Sequence, residues 1–243
     1  MRELLEESFR AAVAAADPLK ILGAHLPPPP KGRTFVAAAG KAAASMALAV
    51  EQNWSAPLQG IAVTRYKHGL PTKHIRVVEA GHPVPDDAGE QAAKEILSVV
   101  RTLGEDDLLL VLISGGGSSL LSLPAPGVSM AQLKTLTHQL LKSGADIREM
   151  NTVRKHLSAI AGGRLAAASR APVVALIISD VVGDDPTHIA SGPCAPDPTT
   201  YADALEILAR YRVSPPGAIK RRLEEREDET PKPGDPVFAR VQN

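Results

Sequence analysis

The sequence predicts an α/β fold in which a parallel sheet is covered by helices on both faces. Short apolar runs recur along the chain, and their length and composition are typical of strands that are buried on both faces. Stretches with apolar residues at helical spacing separate these runs, and such alternation is typical of a parallel sheet. With 243 residues, of which 44% are hydrophobic, the chain is long enough to bury a substantial core.

The predicted elements follow one another with short connections. A helical segment occupies residues 1–30 and ends in four prolines that form a stiff connector, and residues 224–243 form a charged, proline-rich tail. The strands are predicted at residues 34–39, 59–64, 74–79, 108–113 and 173–179. The helices are predicted at residues 2–16, 42–52, 87–103, 129–142, 201–212 and 215–226, and a further helix is predicted to open at Asn151.

Composition excludes several classes of protein. Lysine and arginine together number 27, as do aspartate and glutamate, so the chain has no net positive charge to attract nucleic acid. Only 3% of residues are aromatic, which leaves few side chains on which bases could stack. Both observations argue against a nucleic-acid partner. The single cysteine, Cys194, excludes an internal disulfide framework. No apolar run reaches the ~20 residues that cross a bilayer, and the acidic N-terminus is unlike a signal peptide. We therefore expect a cytoplasmic protein without a membrane partner.

The apolar run 108–113 leads directly into Ser114-Gly115-Gly116-Gly117-Ser118-Ser119, which we term the glycine loop. Three glycines let the backbone adopt positive φ and approach a ligand closely. Successive N–H groups in such a turn can bind an anion, and the three serine hydroxyls add donors for phosphate or carboxylate. The alternative is a tight turn between a strand and a helix that needs small residues for packing.

Lys41 and His82 are candidate ligand contacts at the ends of two other predicted strands. Lys41 precedes a predicted helix, where the helix dipole disfavours a cation, so a bound anion would account for its position. Its alternative is a surface lysine whose ammonium turns away into solvent. His82 lies in a proline-rich loop after the strand at 74–79, where it is a candidate donor to a ligand. Its alternative is a histidine that only satisfies carbonyl groups of the loop.

Carboxylates follow the strand predicted at 173–179. Magnesium is normally held by one or two carboxylates together with substrate phosphates and water, so Asp184 is a candidate metal ligand. Asp184 and Asp185 are alternatively turn residues and helix caps. Asp180 stands first after the strand, and the turn interpretation does not account for it.

A short basic run, Arg154 and Lys155, lies within the helix predicted to open at Asn151. It is either a local anion site or a solvated helical face. In parallel sheets ligands bind beyond the carboxyl ends of the strands, where Lys41, the glycine loop and Asp180 all lie. A lysine, an anion-binding loop, carboxylates and basic residues form the set that phosphoryl transfer needs, because its catalysis is mostly positioning and charge stabilisation.

Five segments carry motifs that occur in a specific order. They are Ala39-Gly40-Lys41-Ala42-Ala43, Glu79-Ala80-Gly81-His82-Pro83-Val84-Pro85-Asp86, Ser114-Gly115-Gly116-Gly117-Ser118-Ser119-Leu120, Asn151-Thr152-Val153-Arg154-Lys155-His156-Leu157-Ser158, and Ser179-Asp180-Val181-Val182-Gly183-Asp184 with Ala190-Ser191-Gly192-Pro193. Together these segments resemble the MOFRL-type glycerate kinases, or glycerate 2-kinases, some of which were labelled hydroxypyruvate reductases. The resemblance extends over residues 2–241.

The resemblance implies ATP-dependent phosphorylation of D-glycerate to 2-phosphoglycerate with Mg²⁺, carried out by a Rossmann-like, three-layer N-terminal α/β domain. It implies that Lys41 is the catalytic lysine, which neutralises charge on the transferring phosphoryl group. It also implies that Asp180 is the catalytic aspartate, as a base or a metal contact. The glycine loop and His82 would hold an anionic group of substrate or nucleotide, and Arg154 and Lys155 would pair with a carboxylate or phosphate.

The sequence departs from this family in length. Family members continue into a C-terminal MOFRL domain that carries an active-site arginine, and the 243 residues do not include it. We therefore expect a domain truncated before the C-terminal domain: a fragment, a truncated gene product, or half of a split enzyme that pairs with a partner chain or a second copy. Alone, it is expected to have weak or no kinase activity.

Two other functions stay open. An NAD(P)H-dependent hydroxypyruvate reductase is one, although no Gly-x-Gly-x-x-Gly fingerprint follows the first predicted strand. The other is an inactive anion-binding subunit of a split enzyme.

Overall fold

The computed structural model describes every residue from Met1 to Asn243, and none of its helices combines the length and hydrophobicity needed to span a bilayer. The strands are β1 (Thr34–Ala39), β2 (Leu58–Arg65), β3 (Ile75–Ala80), β4 (Leu108–Ser114), β5 (Val173–Ile178) and β6 (Val241–Gln242). The helices are α1 (Arg2–Ala15), α2 (Pro18–Ile21), α3 (Ala43–Asn53), α4 (Asp87–Val100), α5 (Gly117–Leu120), α6 (Met130–Ser143), α7 (Ile147–His156), α8 (Arg164–Ala167), α9 (Tyr201–Arg210) and α10 (Gly217–Glu225). Three 3₁₀ segments cover Leu22–His25, Ile189–Ser191 and Pro236–Arg240.

The six strands form one all-parallel sheet in the order β3-β2-β1-β4-β5-β6. The chain starts at the centre with β1, moves to one edge through β2 and β3, and returns to place β4 on the other side of β1. This doubly wound order confirms the predicted Rossmann-like α/β class. The order reverses between β1 and β4, which is where open sheets of this kind form their ligand crevice.

The centre of the sheet is buried on both faces. Every residue of β1 and β4 is buried, as their uninterrupted apolar sequences predict. Because side chains alternate along a strand, Phe35 and Ala37 join the hydrophobic cluster under α4 and α8, whereas Val36 and Ala38 join the cluster under α3. Helices therefore cover both faces, and the carboxyl ends of the central strands remain as the accessible edge.

A third hydrophobic cluster of 15 buried residues lies among α6, α7, α9 and α10. The start of α6 is a capping box in which Ser129 and Gln132 satisfy each other's free amides, as the sequence predicts. The tail folds back onto this helical part, since the Tyr201 hydroxyl donates to the carbonyl of Glu227 (2.9 Å) and Thr230 is 1% exposed.

One predicted helix boundary is wrong. Helix α7 begins at Ile147 rather than at Asn151, because the Asp146 side chain accepts the amides of Arg148 and Glu149 and so caps the helix one turn earlier. The motif at 151–157 therefore forms the end of this helix. The helix after the glycine loop is a single turn, Gly117–Leu120, which is too short to carry an appreciable dipole.

Candidate active site

The loop after β1, which contains Lys41, is hydrogen-bonded to the glycine loop after β4, at the point where the strand order reverses. The Lys41 amide donates to the Gly115 carbonyl (2.9 Å), and the Ala42 amide donates to Ser114 Oγ (3.0 Å). Gly40 has φ +135°, and a methyl group there would lie 2.1 Å from Ser114 Oγ, so only glycine permits this approach. These contacts fix the backbone of Lys41 beside the glycine loop, while the residue itself is exposed.

Side chains from three different loops meet over the first two glycines of the glycine loop. A methyl group at Gly115 would lie 2.1 Å from Asp180 Oδ2. A methyl group at Gly116 would lie 2.7 Å from His82 Nε2 and 3.4 Å from Lys41 Cε. The structure thus brings Lys41, His82 and Asp180, which follow β1, β3 and β5, to one rim, and the missing Cβ atoms are what allow the approach.

The pKa of His82 depends first on burial and then on the charges around it. Burial lowers the pKa of His82, and the positive charges of Lys41 and Arg65 lower it further, whereas Asp180 acts in the opposite direction. The imidazole is therefore neutral at pH 7, with one nitrogen that donates and one that accepts a hydrogen bond.

The three serines of the glycine loop have different roles. The Ser114 hydroxyl holds the amide of Ala42, and the Ser119 hydroxyl donates to the Gly116 carbonyl (3.0 Å), so both stabilise the loop from within. Both residues are buried, whereas Ser118 is partly exposed and its hydroxyl makes no hydrogen bond in the protein. The expectation that all three hydroxyls face a ligand is corrected to Ser118 alone.

Arg154 extends from the last turn of α7 to the glycine loop. Its Nη2 donates to the Ser118 carbonyl (3.3 Å), which is the one hydrogen bond that its guanidinium forms. No carboxylate lies within 4.0 Å of this guanidinium, which forms no salt bridge. Burial lowers the pKa of Arg154. A partly buried guanidinium with unused donors therefore lies beside the glycine loop.

Lys155 does not belong to this rim. It is 2% exposed, and its Nζ lies 3.1 Å from Oδ1 of Asp197, which is itself 1% exposed. The expectation that Lys155 binds a carboxylate or phosphate of a ligand is wrong, because its ammonium is enclosed and already paired. Adjacent residues of a helix face different directions, so only Arg154 of the basic pair reaches the glycine loop.

Asp197 is the centre of a buried polar network. It accepts hydrogen bonds from Thr199 Oγ1 (2.7 Å) and Thr230 Oγ1 (3.1 Å) in addition to Lys155. Burial would raise the pKa of Asp197, but the charge of Lys155 and the hydrogen bonds from Thr199 outweigh it and lower the pKa. The network joins α7, the segment before α9 and the tail, and so fixes the helix that carries Arg154.

Asp184 lies apart from the glycine loop. It is exposed, has φ +51°, and its amide donates to the Val181 carbonyl (3.1 Å), which is the geometry of a turn residue. It lines a groove of about 930 Å³ between the N-terminal segment and β5. No group of three or more His, Cys, Asp or Glu residues placed to hold a metal occurs in residues 1–243. Asp184 thus has the geometry of a turn residue, and its role as a metal ligand stays a prediction.

Sequence reasoning missed Ser191. Ala190 and Ser191 have φ of +50° and +62°, a region that residues other than glycine rarely occupy and that costs about 1–3 kcal/mol for each. Ser191 is 4% exposed, and its Oγ has no hydrogen-bond partner. A cavity of about 20 Å³ lies between Ser191, Ser118 and Arg154. The small-residue loop at 188–193 was the available signal, but no sequence pattern predicts an unpaired buried hydroxyl.

A Gly115→Ala substitution tests the contact between the glycine loop and Asp180. We expect the new methyl group to displace the Asp180 carboxylate, because the two would otherwise lie 2.1 Å apart. The pKa of His82, measured by NMR titration, should then fall further, since Asp180 is the group that raises it. In Gly104→Ala, where the nearest atom lies 3.9 Å from the new methyl group, the pKa should not change. An unchanged His82 pKa in both variants would contradict this geometry.

The fold and the site define a class of protein. It is a doubly wound α/β protein in which an ammonium, an imidazole and a carboxylate meet over a glycine loop at the reversal of strand order. The family described as Domain of unknown function (DUF4147) matches residues 4–224. The chain therefore belongs to this family, which forms the N-terminal domain of the glycerate kinase family. The resemblance noted in the sequence is confirmed.

Relatives and solved structures agree with this family. The chain is 52% identical to a putative hydroxypyruvate reductase of Agrobacterium vitis over 96% of this chain and 54% of the relative. It is 42% identical to the D-glycerate 2-kinase of Thermotoga maritima over 96% of this chain and 56% of the relative. A crystal structure of glycerate kinase from Thermotoga maritima superposes with a TM-score of 0.86 at 41% identity, covering 95% of this chain and 56% of that one. The chain spans about half the length of the curated relatives it matches.

Proposed function

We propose that this chain forms the phosphoryl-transfer part of the active site of a glycerate 2-kinase. The observation that carries the proposal is the convergence of Lys41, His82 and Asp180 over Gly115 and Gly116. A cation beside free backbone amides binds phosphate, and a carboxylate at the same rim can accept a proton from an alcohol. The names of the relatives, glycerate 2-kinase and D-glycerate 2-kinase, support the same reaction.

Each residue has a role in the proposed transfer. The 2-hydroxyl oxygen of D-glycerate forms a bond to the γ-phosphorus of ATP as the bond between that phosphorus and the bridging oxygen of ADP breaks. Lys41 neutralises charge on the transferring group, which is the main contribution a protein makes to such a transition state. Asp180 accepts the hydroxyl proton, and the neutral imidazole of His82 donates a hydrogen bond to a phosphoryl oxygen.

The residues present fit the phosphates of ATP. The side-chain atoms nearest to Gly115 and Gly116 belong to Asp180, His82 and Lys41, and Lys41 is exposed. Mg²⁺ would neutralise charge on the phosphates, and it needs only one or two protein carboxylates when phosphates supply the other ligands. Asp180 is the carboxylate at the rim that would contact it.

An NAD(P)H-dependent hydroxypyruvate reductase is the second candidate, and the names of two relatives favour it. The loop after β1, Gly40-Lys41-Ala42, lacks the Gly-x-Gly-x-x-Gly pattern that admits a dinucleotide pyrophosphate. A lysine at this position and a carboxylate beside the glycine loop match phosphoryl transfer better than hydride transfer.

The proposal predicts binding of both substrates but little turnover by the 243 residues alone. We expect calorimetry to detect D-glycerate and Mg·ATP. Coupled ADP release by the 243 residues should be at least about 100-fold below that of the Thermotoga maritima D-glycerate 2-kinase, because the match covers only 56% of that relative and turnover depends on the placement of every reacting group. Turnover equal to that of the relative would show that these 243 residues suffice for the reaction. Hydroxypyruvate-dependent oxidation of NADH would favour the reductase, and absence of binding by either substrate would refute the proposal.

A further inference from the structure

Arg154 carries a charge that nothing in the protein balances. Its side chain is partly buried, makes one long hydrogen bond to the Ser118 carbonyl (3.3 Å), and has no carboxylate within salt-bridge distance. The buried cations Lys155 and Arg164 are paired, with Asp197 and Asp228 respectively. Arg154 lacks such a partner, and its unused N–H donors beside the glycine loop point to an anion that comes from outside the chain.

Ser191, which lines the same cavity, provides a second, independent observation. Its hydroxyl is buried without a hydrogen-bond partner, and such a group costs about 1–3 kcal/mol. The backbone that presents it is held in the left-handed region from Ala190 to Gly192. An unpaired buried hydroxyl on a strained backbone is stable only where the surrounding structure imposes it, and such residues cluster at ligand sites.

The size of the cavity limits what can enter it. A volume of about 20 Å³ is just above the ~10–15 Å³ that a single water molecule requires. One oxygen atom of a small ligand therefore fits, whereas a phosphoryl group with three terminal oxygens does not. The cavity also lies on the α7 side of the glycine loop, whereas Lys41 and Asp180 lie over Gly115 and Gly116.

We propose that this cavity receives one oxygen of the substrate's carboxylate, with Arg154 as the counter-charge and Ser191 and Ser118 as hydroxyl donors. The inference rests on the proposed function, since it assigns the part of the site that recognises the acid. A 2-hydroxy acid would lie across the glycine loop, with its hydroxyl towards Asp180 and its carboxylate towards Arg154. The site would therefore select small hydroxy monocarboxylates over polyols and sugars, which have no charge to balance Arg154.

The test compares Arg154→Gln, Arg154→Lys and Ser191→Ala with the wild-type chain, using D-glycerate, glycerol and Mg·ATP as probes in calorimetry and thermal unfolding. Arg148→Gln is the matched control, because Arg148 is an exposed arginine on the same helix. We expect Arg154→Gln to lose about 10- to 100-fold in D-glycerate affinity, as for removal of a charged hydrogen-bonding group, and to keep its affinity for Mg·ATP. Arg154→Lys should retain part of the affinity, and glycerol should bind none of the proteins measurably.

Thermal unfolding separates ligand binding from a structural role. Because Arg154 is partly exposed and forms no salt bridge, Arg154→Gln should change Tm by no more than a few degrees. D-glycerate should raise Tm in the wild type and in Arg148→Gln but not in Arg154→Gln. Ser191→Ala should also keep its Tm and lose about 3- to 10-fold in D-glycerate affinity.

The outcomes distinguish this inference from the proposed function. Three results would overturn the inference. They are a D-glycerate affinity of Arg154→Gln within twofold of the wild-type affinity, a decrease of more than about 5 °C in the Tm of Arg154→Gln, and no binding of D-glycerate by the wild type. If D-glycerate binding depends on Arg154 but Mg·ATP does not bind, the carboxylate subsite stands and the kinase proposal fails.

Discussion

Replacing Lys41 with glutamine is expected to remove most of the affinity for Mg·ATP while the protein stays folded. Lys41 is an exposed residue, and only its backbone is hydrogen-bonded, to Gly115 and Thr64. Loss of a charged donor to phosphate typically weakens binding by about 10- to 100-fold. Any turnover should fall by about 100-fold or more, because the charge acts most strongly on the transition state.

The variant has a local readout as well as a functional one. The charge of Lys41 lowers the pKa of His82, so the His82 pKa should rise in Lys41→Gln if the rim is as described. Lys31→Gln is the control, since Lys31 is an exposed lysine in the loop before β1. The free energy of unfolding should change by less than about 0.5 kcal/mol in both variants. If Lys41→Gln unfolds, or binds Mg·ATP as the wild type does, Lys41 is not a phosphate-binding residue.

Replacing Asp197 with asparagine should give the largest loss of stability. The substitution preserves shape but leaves the buried ammonium of Lys155 without its counter-charge, which typically costs about 3–5 kcal/mol. Urea unfolding at neutral pH measures this loss. Glu224→Gln is the control, because its pair with Lys220 is 61% and 53% exposed and should contribute less than about 1 kcal/mol.

The pH dependence of Asp197→Asn provides a second test. The folded pKa of Asp197 is lowered, so the unfolded chain binds its proton at higher pH than the folded chain. Its stabilisation is therefore fully present above the unfolded pKa of about 3.9, and it is lost as pH falls through the folded value. The difference in the free energy of unfolding between the wild type and Asp197→Asn should become smaller as the pH is lowered below about 3.9. The double variant Asp197→Asn/Lys155→Met should recover much of the stability that Asp197→Asn loses. If neither this recovery nor the pH dependence is observed, the Lys155–Asp197 pair does not stabilise the protein.

Most of the sheet was predictable because β1, β4 and β5 are continuous apolar runs that no other element can accommodate. The position of Lys41, the glycine loop and Asp180 at strand ends was predictable for the same reason, since parallel strands share one carboxyl edge. The N-cap of α7 was also visible in the sequence. Asp146, a typical N-cap residue, directly precedes α7, but the helix was predicted to open at Asn151.

The directions of side chains were not predictable in the same way. Arg154 and Lys155 are neighbours with the same charge, and only the packing of α7 against α9 decides that one faces the glycine loop and the other faces Asp197. The partner of Lys155 lies 42 residues further along the chain, and Thr230 joins it from the tail, so no local pattern contains the pair. The same applies to Ser191, whose unpaired hydroxyl depends on which groups surround it.

The order of the strands has a consequence for how the protein acquires its site. Strand β1 pairs with β4, and β4 pairs with β5, which lies more than 50 residues further along the chain. The central pairings of the sheet therefore link distant parts of the polypeptide. Such non-local topology slows folding relative to helical proteins of equal size. During synthesis on the ribosome, Lys41 emerges early and Asp180 much later, so nascent chains remain without a completed rim until β5 has docked, and their exposed apolar strands are then candidates for chaperone binding.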